Sequence, residues 1–465
     1  MSKIIQSIMV WALITLTINA QTLQEKLQDK LESLQKEKSL FGISACVMQG
    51  DQLIWSGTAG YSNPFTKDTI TTNMNGAIGS NTKMITSSII LQLVEEGKLS
   101  LNDTISKWIT PSAKIKSEIT VRQLLNHTSG VADYTTDAWL DSFKTNPARG
   151  WTTEELIDLF VGAPDFDPGT SWKYSNTGYL LLGEIIEKIE NKSYRDVLYE
   201  RIINPLGLST MYTPIEDEPT GPVLTPWFDI DDDGDQDNMD EYSLMAMHTS
   251  GGAAGYIYST PVELAKFLHK LFSKEIINQS SLDQMINTVP ASSTYDYGLG
   301  IAKFKIFNRT YYGHSGQYIG YLSLSAYQPE TAICVILLLN LTYADLYGVG
   351  KEITELAFNE IVTSIEEEQN LISDFSLSQN YPNPFNPTTK INFRIPTSDL
   401  YERGEFVTLK VYDVLGNEIA TLVNEEKSAG TYTIEFDGSG LTSGMYIYRI
   451  SAGNFSETRK MIFLK

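Results

Sequence analysis

Prolines at positions 382, 384 and 387, held within Asn380-Tyr-Pro-Asn-Pro-Phe-Asn-Pro387, forbid a helix there and split the chain into two textures. Each lacks the N–H that an interior helical residue donates, and each pushes its predecessor toward extended backbone. Beyond this run the sequence holds only short alternating segments, at 390–395, 407–415, 432–436, 445–450 and 460–464, with turns at Gly416-Asn417 and 438–440. Such spacing predicts a small all-β sandwich over residues 388–465, reached through a Pro-rich linker over 371–387. With 465 residues there is chain enough for a larger second body upstream.

That upstream body, residues 21–370, reads as α+β. Residues 22–38 place Leu23, Leu27, Leu31 and Leu34 on one helical stripe. Residues 42–50 and 52–60 alternate as a hairpin that turns at Gly50-Asp51. A mostly helical stretch runs from Ser80 to about Lys274, and strand-like runs return at 299–307, 309–313, 318–327 and 332–339. A helix from Tyr347 to about Glu367 closes the body. First and last strands are expected to share one antiparallel sheet, with the helical region packed beside it.

The first twenty residues predict a secretory signal peptide: Lys3, then an apolar stretch around 8–18, then Ala20 as a small residue for cleavage. Thr15, Thr17 and Asn19 interrupt that stretch, and no later run is long enough to span a bilayer, so the mature chain is expected to have no transmembrane segment. A formal charge of −22 argues against a nucleic-acid partner. Cys46 and Cys334 lie in apolar strand-like runs, as two core thiols or one cross-strand bridge. Four histidines without metal-ligand spacing exclude a histidine-rich zinc site.

Three short motifs carry chemistry. Gly79-Ser80-Asn81-Thr82-Lys83 opens an apolar helix, so Ser80 and Lys83 stand one turn apart on one face. A hydroxyl with a nitrogen base in reach, at a helix N-terminus whose N–H groups are free, suits acyl transfer. Tyr174-Ser175-Asn176 follows a Pro168-Gly169 turn and precedes a helix, and His314-Ser315-Gly316 lies among the late strands. Singly each is cheap: Ser-x-x-Lys recurs at Ser33–Lys36, and Tyr-x-Asn at Tyr61–Asn63 and Tyr381–Asn383.

In this order and setting, the three motifs resemble the set shared by serine β-lactamases and D-alanyl-D-alanine peptidases. Residues 39–364 are similar to class C β-lactamases and to the related D,D-carboxypeptidases, esterases and D-aminopeptidases. Supporting phrases are Leu93-Val-Glu-Glu-Gly-Lys-Leu-Ser100, Val121-Arg-Gln-Leu-Leu-Asn-His-Thr-Ser-Gly130 and Pro168-Gly-Thr-Ser-Trp-Lys-Tyr-Ser-Asn-Thr-Gly-Tyr179. The resemblance implies an acyl-enzyme on Ser80 without a catalytic cofactor. Lys83 and Tyr174 would share the proton transfers, Tyr174 as base toward Ser80 and acid toward the leaving group. Asn176 would bind a substrate amide, and His314 and Ser315 of the His314-Ser315-Gly316 motif its carboxylate end. The N–H groups of Ser80 and Gln317 would form the oxyanion hole. Histidine in place of lysine at 314 weakens the fixed positive charge expected of a β-lactamase. The expected activity is therefore D,D-carboxypeptidase-like or esterase/amidase-like on a small peptide or ester; a β-lactamase acting on β-lactams and a non-catalytic penicillin-binding surface protein are the alternatives. His127 is expected to brace a loop.

Two further features stand apart. Asp229, Asp231, Asp233, Asp237 and Asp240, with Gly234 at the sixth position and the Asp235 carbonyl at the seventh, reproduce the ligand spacing of a calcium loop. Pro222 and Pro226 exclude a regular helix before it, so a structural Ca²⁺ loop of the isolated extracellular kind is expected rather than an EF-hand. The segment 376–389 closely resembles the start of the type IX secretion C-terminal sorting domain, as do Val411-Tyr-Asp-Val-Leu-Gly416, Ser443-Gly-Met-Tyr446 and 460–465. That likeness implies the type IX secretion machinery as partner and delivery to the outer-membrane surface or the medium; a carbohydrate-binding sandwich is its rival.

Overall fold

The computed structural model describes residues 21–370, 375–396, 405–428, 430–453 and 455–465. The expected signal peptide, residues 1–20, lies outside them. The chain divides into two compact units between Phe358 and Asn359, inside the helix Leu346–Asn370. No helix among the described residues is long and apolar enough to cross a membrane.

The first unit is mixed α+β. Its sheet runs Asp68–Thr69, Gln52–Asn63, Gly42–Gln49, Ile333–Leu339, Tyr321–Gln328, Arg309–Gly313, Ala302–Ile306, Tyr295–Tyr297 and Val289–Pro290. Neighbours are antiparallel, and Ser315–Tyr318 pairs with Tyr321–Gln328 off this path. The hairpin of the first two long strands turns at Gly50, whose φ of +57° lies in the left-handed region that glycine enters without strain. The last long strand inserts between the first strand and its own predecessor, pairing Ile43 with Leu339 and Leu322 with Leu339. Both of its faces are buried, which explains its unbroken apolar sequence.

The leading helix, Leu23–Glu37, starts with a capping box between Thr22 and Glu25 and packs on the strand Gln52–Asn63. Leu27, Leu31 and Leu34 are buried as the stripe requires, each contributing about 1.5–3 kcal/mol by leaving water. Late in the chain, the single run 318–327 is two strands, because the backbone reverses at Ile319-Gly320. Gly320 has φ +77°, and a Cβ there would lie 2.2 Å from Pro226. Cys46 and Cys334 are both buried and free, near each other on paired strands.

From Ser376 onward the second unit is all-β, with a three-stranded sheet (Ser376–Leu377, Thr388–Ile395, Gly430–Asp437) and a four-stranded one (Glu418–Lys427, Glu405–Tyr412, Gly444–Ala452, Phe455–Phe463). Phe393, Leu409, Tyr448 and Phe463 share its core. The Pro-rich run is not a linker, as its sequence suggested, but part of this unit. Phe385 is buried in the core and bridges to Phe463, while the Asn380 N–H donates to the Tyr448 hydroxyl at 2.8 Å. Proline excludes helix but not single bridges that need few donors, and the run makes two, Tyr381 to Lys390 and Phe385 to Phe463.

Candidate active site

Ser80 sits in the tight turn Gly79–Asn81 that leads into the helix Thr82–Glu95. Two glycines bring this turn against the strand Ser315–Tyr318. Gly79 has φ +50°, and a Cβ on it would lie 2.8 Å from both the Gln317 nitrogen and its oxygen. A Cβ on Gly316 would lie 2.0 Å from the Ile78 oxygen. Asn81 then ties the turn to the sheet, donating to Ser323 Oγ at 2.8 Å and accepting from Ser325 Oγ at 2.6 Å. Tyr318 and Tyr321 close a two-residue hairpin, so hydrogen-bonding alternation turns the next pair's Gln317 N–H away from the partner strand, toward Ser80.

Lys83 is wholly buried one helical turn on. Its Nζ lies 3.1 Å from Ser80 Oγ, 2.8 Å from Asn176 Oδ1 and 2.7 Å from the Ala254 oxygen. The last two atoms can only accept, so two N–H bonds are committed to them, and the third position of the nitrogen faces the serine. Burial holds the Lys83 pKa down to about 7, opposed by the negative charge of Asp133. An amine there is substantially neutral near neutral pH, with a lone pair available to Ser80.

Tyr174 lies beside this pair, its ring centroid 4.9 Å from Lys83 Nζ. Desolvation pushes its phenol well above the usual range, while its hydrogen bond with Ser80 acts the other way. It therefore rests as a neutral phenol. Asn176 starts the helix Asn176–Glu190 and is held by Asp133, whose carboxylate accepts from the Asn176 backbone N–H and Nδ2, both at 3.1 Å. His127 adopts φ +62°, accepts the Ser175 N–H at 3.2 Å and packs 4.3 Å from the Tyr174 ring.

A cavity of ≈ 350 Å³ opens beside Ser80, with Tyr174, Asn176 and Gln317 in its wall. His314, Ser315 and Gly316 do not line it, contrary to the expectation that this motif receives a carboxylate. His314 is buried, its Nε2 2.7 Å from the Tyr297 hydroxyl and its Nδ1 2.5 Å from the Ser315 oxygen. Burial, helped by the charge of Lys83, lowers its pKa to about 3, so the ring is neutral. Ser315 Oγ accepts from Tyr347, and Gly316 serves the close approach to Ile78.

Sequence reasoning missed Asp133, Asn81, Ser325 and Tyr297. Asp133 alone left a signal, as the one carboxylate in the otherwise uncharged stretch after Val121–Gly130. It also missed the aromatic wall of the cavity, built by Tyr134, Trp139, Phe228 and Tyr343.

The acidic loop lies beyond Phe228, clamped where Trp227–Phe228 pairs with Asp237–Asn238. Asp229, Asp231 and Asp237 bring carboxylate oxygens within 4.8 Å of one another. Asp233, Asp235 and Asp240 do not join that group. The loop closes on its own N–H groups, with Asp229 accepting from Asp233 and Gly234 at 3.1 and 3.0 Å. Asp240 falls past the strand pair, in the turn Met239–Glu241.

Residues 27–357 match the family model for Beta-lactamase, and residues 379–464 that for the secretion system C-terminal sorting domain. Penicillin-binding protein 4* of Bacillus subtilis (strain 168) is 26% identical over 322 residues, 65% of this chain and 69% of that protein. Teichoic acid D-alanine hydrolase of Staphylococcus aureus is 28% identical over 254 residues, 52% of this chain and 58% of its own length. Among solved structures, the D-amino acid amidase of Ochrobactrum anthropi SV3 superposes with a TM-score of 0.65 at 28% identity, covering 74% of this chain and 99% of that one.

Proposed function

The chain belongs to the beta-lactamase family, a family of serine hydrolases, through residues 27–357, and it carries a secretion system C-terminal sorting domain; from this we propose that it is an exported hydrolase that forms an acyl-enzyme on Ser80. The observation that carries the reading is the environment of Lys83: a buried amine with two hydrogens committed to pure acceptors and its remaining position on the serine hydroxyl.

Ser80 Oγ attacks the substrate carbonyl carbon, and its proton passes to Lys83 Nζ. The developing oxyanion is met by the Ser80 and Gln317 N–H groups. Collapse breaks the bond to the leaving nitrogen or oxygen, which takes the Tyr174 proton, and Lys83 reprotonates Tyr174. Water then repeats the sequence against the acyl-enzyme and releases the acid. Relatives named as a D-alanine hydrolase and a D-amino acid amidase support an amide or ester substrate, with D,D-carboxypeptidase-like or amidase/esterase-like activity.

Delivery to the cell surface or beyond by the type IX machinery rests on the sorting domain, and the segment 1–20 would supply the first export step. The acidic loop would hold a structural calcium ion through Asp229, Asp231 and Asp237, away from the chemistry.

Intact-protein mass after reaction with a fluorophosphonate tests the nucleophile. The wild-type chain is expected to gain one adduct, and Ser80→Ala none, with stability changed by no more than about 1 kcal/mol. An adduct that survives the substitution moves the nucleophile elsewhere.

A further inference from the structure

The cavity beside Ser80 offers a substrate no cationic partner. Lys83 lies beneath the serine with all three of its contacts taken. His314 is buried with both ring nitrogens engaged by Tyr297 and Ser315. Among the described residues that line the cavity none is Lys, Arg or His, and the charged one is Asp137, in the first turn of the helix Asp137–Thr145.

Tyr343, 62% exposed, gives the wall an open aromatic face, and the buried rings of Tyr134, Trp139 and Phe228 back it. Such faces are electron-rich and favour flat or bulky apolar groups. A carboxylate entering here would give up its water and meet aromatic rings and the negative Asp137, with Lys144 behind Phe228 already paired to Asp232; burying it so is costly. The N–H groups of Ser80 and Gln317 do not offset that cost, because they face the carbonyl oxygen of the scissile bond.

Resting on Ser80 as nucleophile, we propose that the substrate is an amide or ester of an aromatic or bulky apolar acyl group whose departing portion carries no carboxylate. The enzyme is then an amidase or esterase in this class and not a carboxypeptidase.

The test compares phenylalanyl-alanine with phenylalanyl-alanine N-methylamide, each with D- and L-phenylalanine, and includes alanyl-alanine N-methylamide. Release of the first amino acid is followed, with Ser80 labelling by the fluorophosphonate as a parallel readout. The N-methylamide is expected to exceed the free acid in kcat/KM by at least about tenfold, as an unpaired buried charge dictates. The phenylalanyl compound should also exceed the alanyl one. Tyr343→Lys, which adds a cation to the wall, should narrow the gap between acid and N-methylamide. Equal rates, preference for the free acid, or no turnover of any of them by a chain that labels at Ser80 would overturn the substrate class alone. Failure of Ser80 to label would overturn the nucleophile and this inference with it.

Discussion

Asp133 reaches Lys83 through a single amide: its carboxylate holds the backbone N–H and Nδ2 of Asn176, and the Oδ1 of that side chain accepts from Lys83 Nζ at 2.8 Å. The amide therefore cannot flip without losing partners at both ends, and the amine keeps its aim on Ser80. Burial lowers the Lys83 pKa to about 7, and the negative charge of Asp133 works against that shift. With a neutral amine as base, kcat/KM should rise with pH through about 7.

In Asp133→Asn the Lys83 ammonium loses its supporting charge, so its pKa falls and the acid limb moves to lower pH. The plateau should drop by roughly 10- to 100-fold as Asn176 loses hydrogen bonds to a charged partner. A pH–rate profile of both proteins decides this. An unmoved limb would mean that Lys83 is not the titrating group.

Tyr174→Phe keeps the packing against His127 and removes the hydroxyl beside Ser80. Turnover of amides should fall by at least about 100-fold, the share usual for lost acid–base assistance. Esters, whose leaving groups need less protonation, should suffer less. Steady-state rates on a matched amide and ester check it, and equal small losses would leave Lys83 handling both transfers.

Calcium should stabilise the first unit without entering the reaction. Three gathered carboxylates, not pre-set by flanking helices, suit a dissociation constant of roughly 10⁻⁴–10⁻³ M. Millimolar calcium should raise the melting temperature by a few degrees, and chelator or Asp231→Asn should abolish the rise. A melting curve indifferent to calcium leaves only an acidic loop.

Removing residues 371–465 should leave hydrolysis intact and end surface delivery. Every side chain and N–H group assigned to the chemistry belongs to the unit that ends at Phe358. Assay of the shortened chain in vitro, with its localisation in the native cell, separates the two properties. Loss of activity in a folded product would make the second unit part of the enzyme.

The sequence disclosed the local features and hid those that depend on distant approach. The Ser80–Lys83 spacing, the leucine stripe of the first helix and the turn at Gly50 are set by helix and strand periods, which can be counted directly. The order of the three motifs separated Tyr174–Asn176 from its copies: Tyr61 lies on a strand and Tyr381 is largely exposed in the second unit. Burial was not countable. Whether His314 met a carboxylate or a tyrosine depended on Tyr297, a residue on another strand whose sequence carries no mark of the pairing. Asn81 with Ser325, and Asp133 with Asn176, were likewise polar pairs made across the fold. For the Pro-rich run, backbone chemistry excluded a helix but could not distinguish a tether from a loop packed into the core.

The strand Ile333–Leu339 lies between strands that begin at residues 42 and 321, so the nucleophile turn gains its facing wall only once the early and late strands of the first unit have paired. Ser80 and Lys83 are close neighbours in sequence and can come together early, but Gln317, Ser323 and Ser325 reach them across more than two hundred residues. Contacts of that span form late, after the loop between them has closed. A chain caught before that closure carries the serine and its amine without the wall that Gln317 gives the cavity. The arrangement around Ser80 is thus assembled only when the whole domain is.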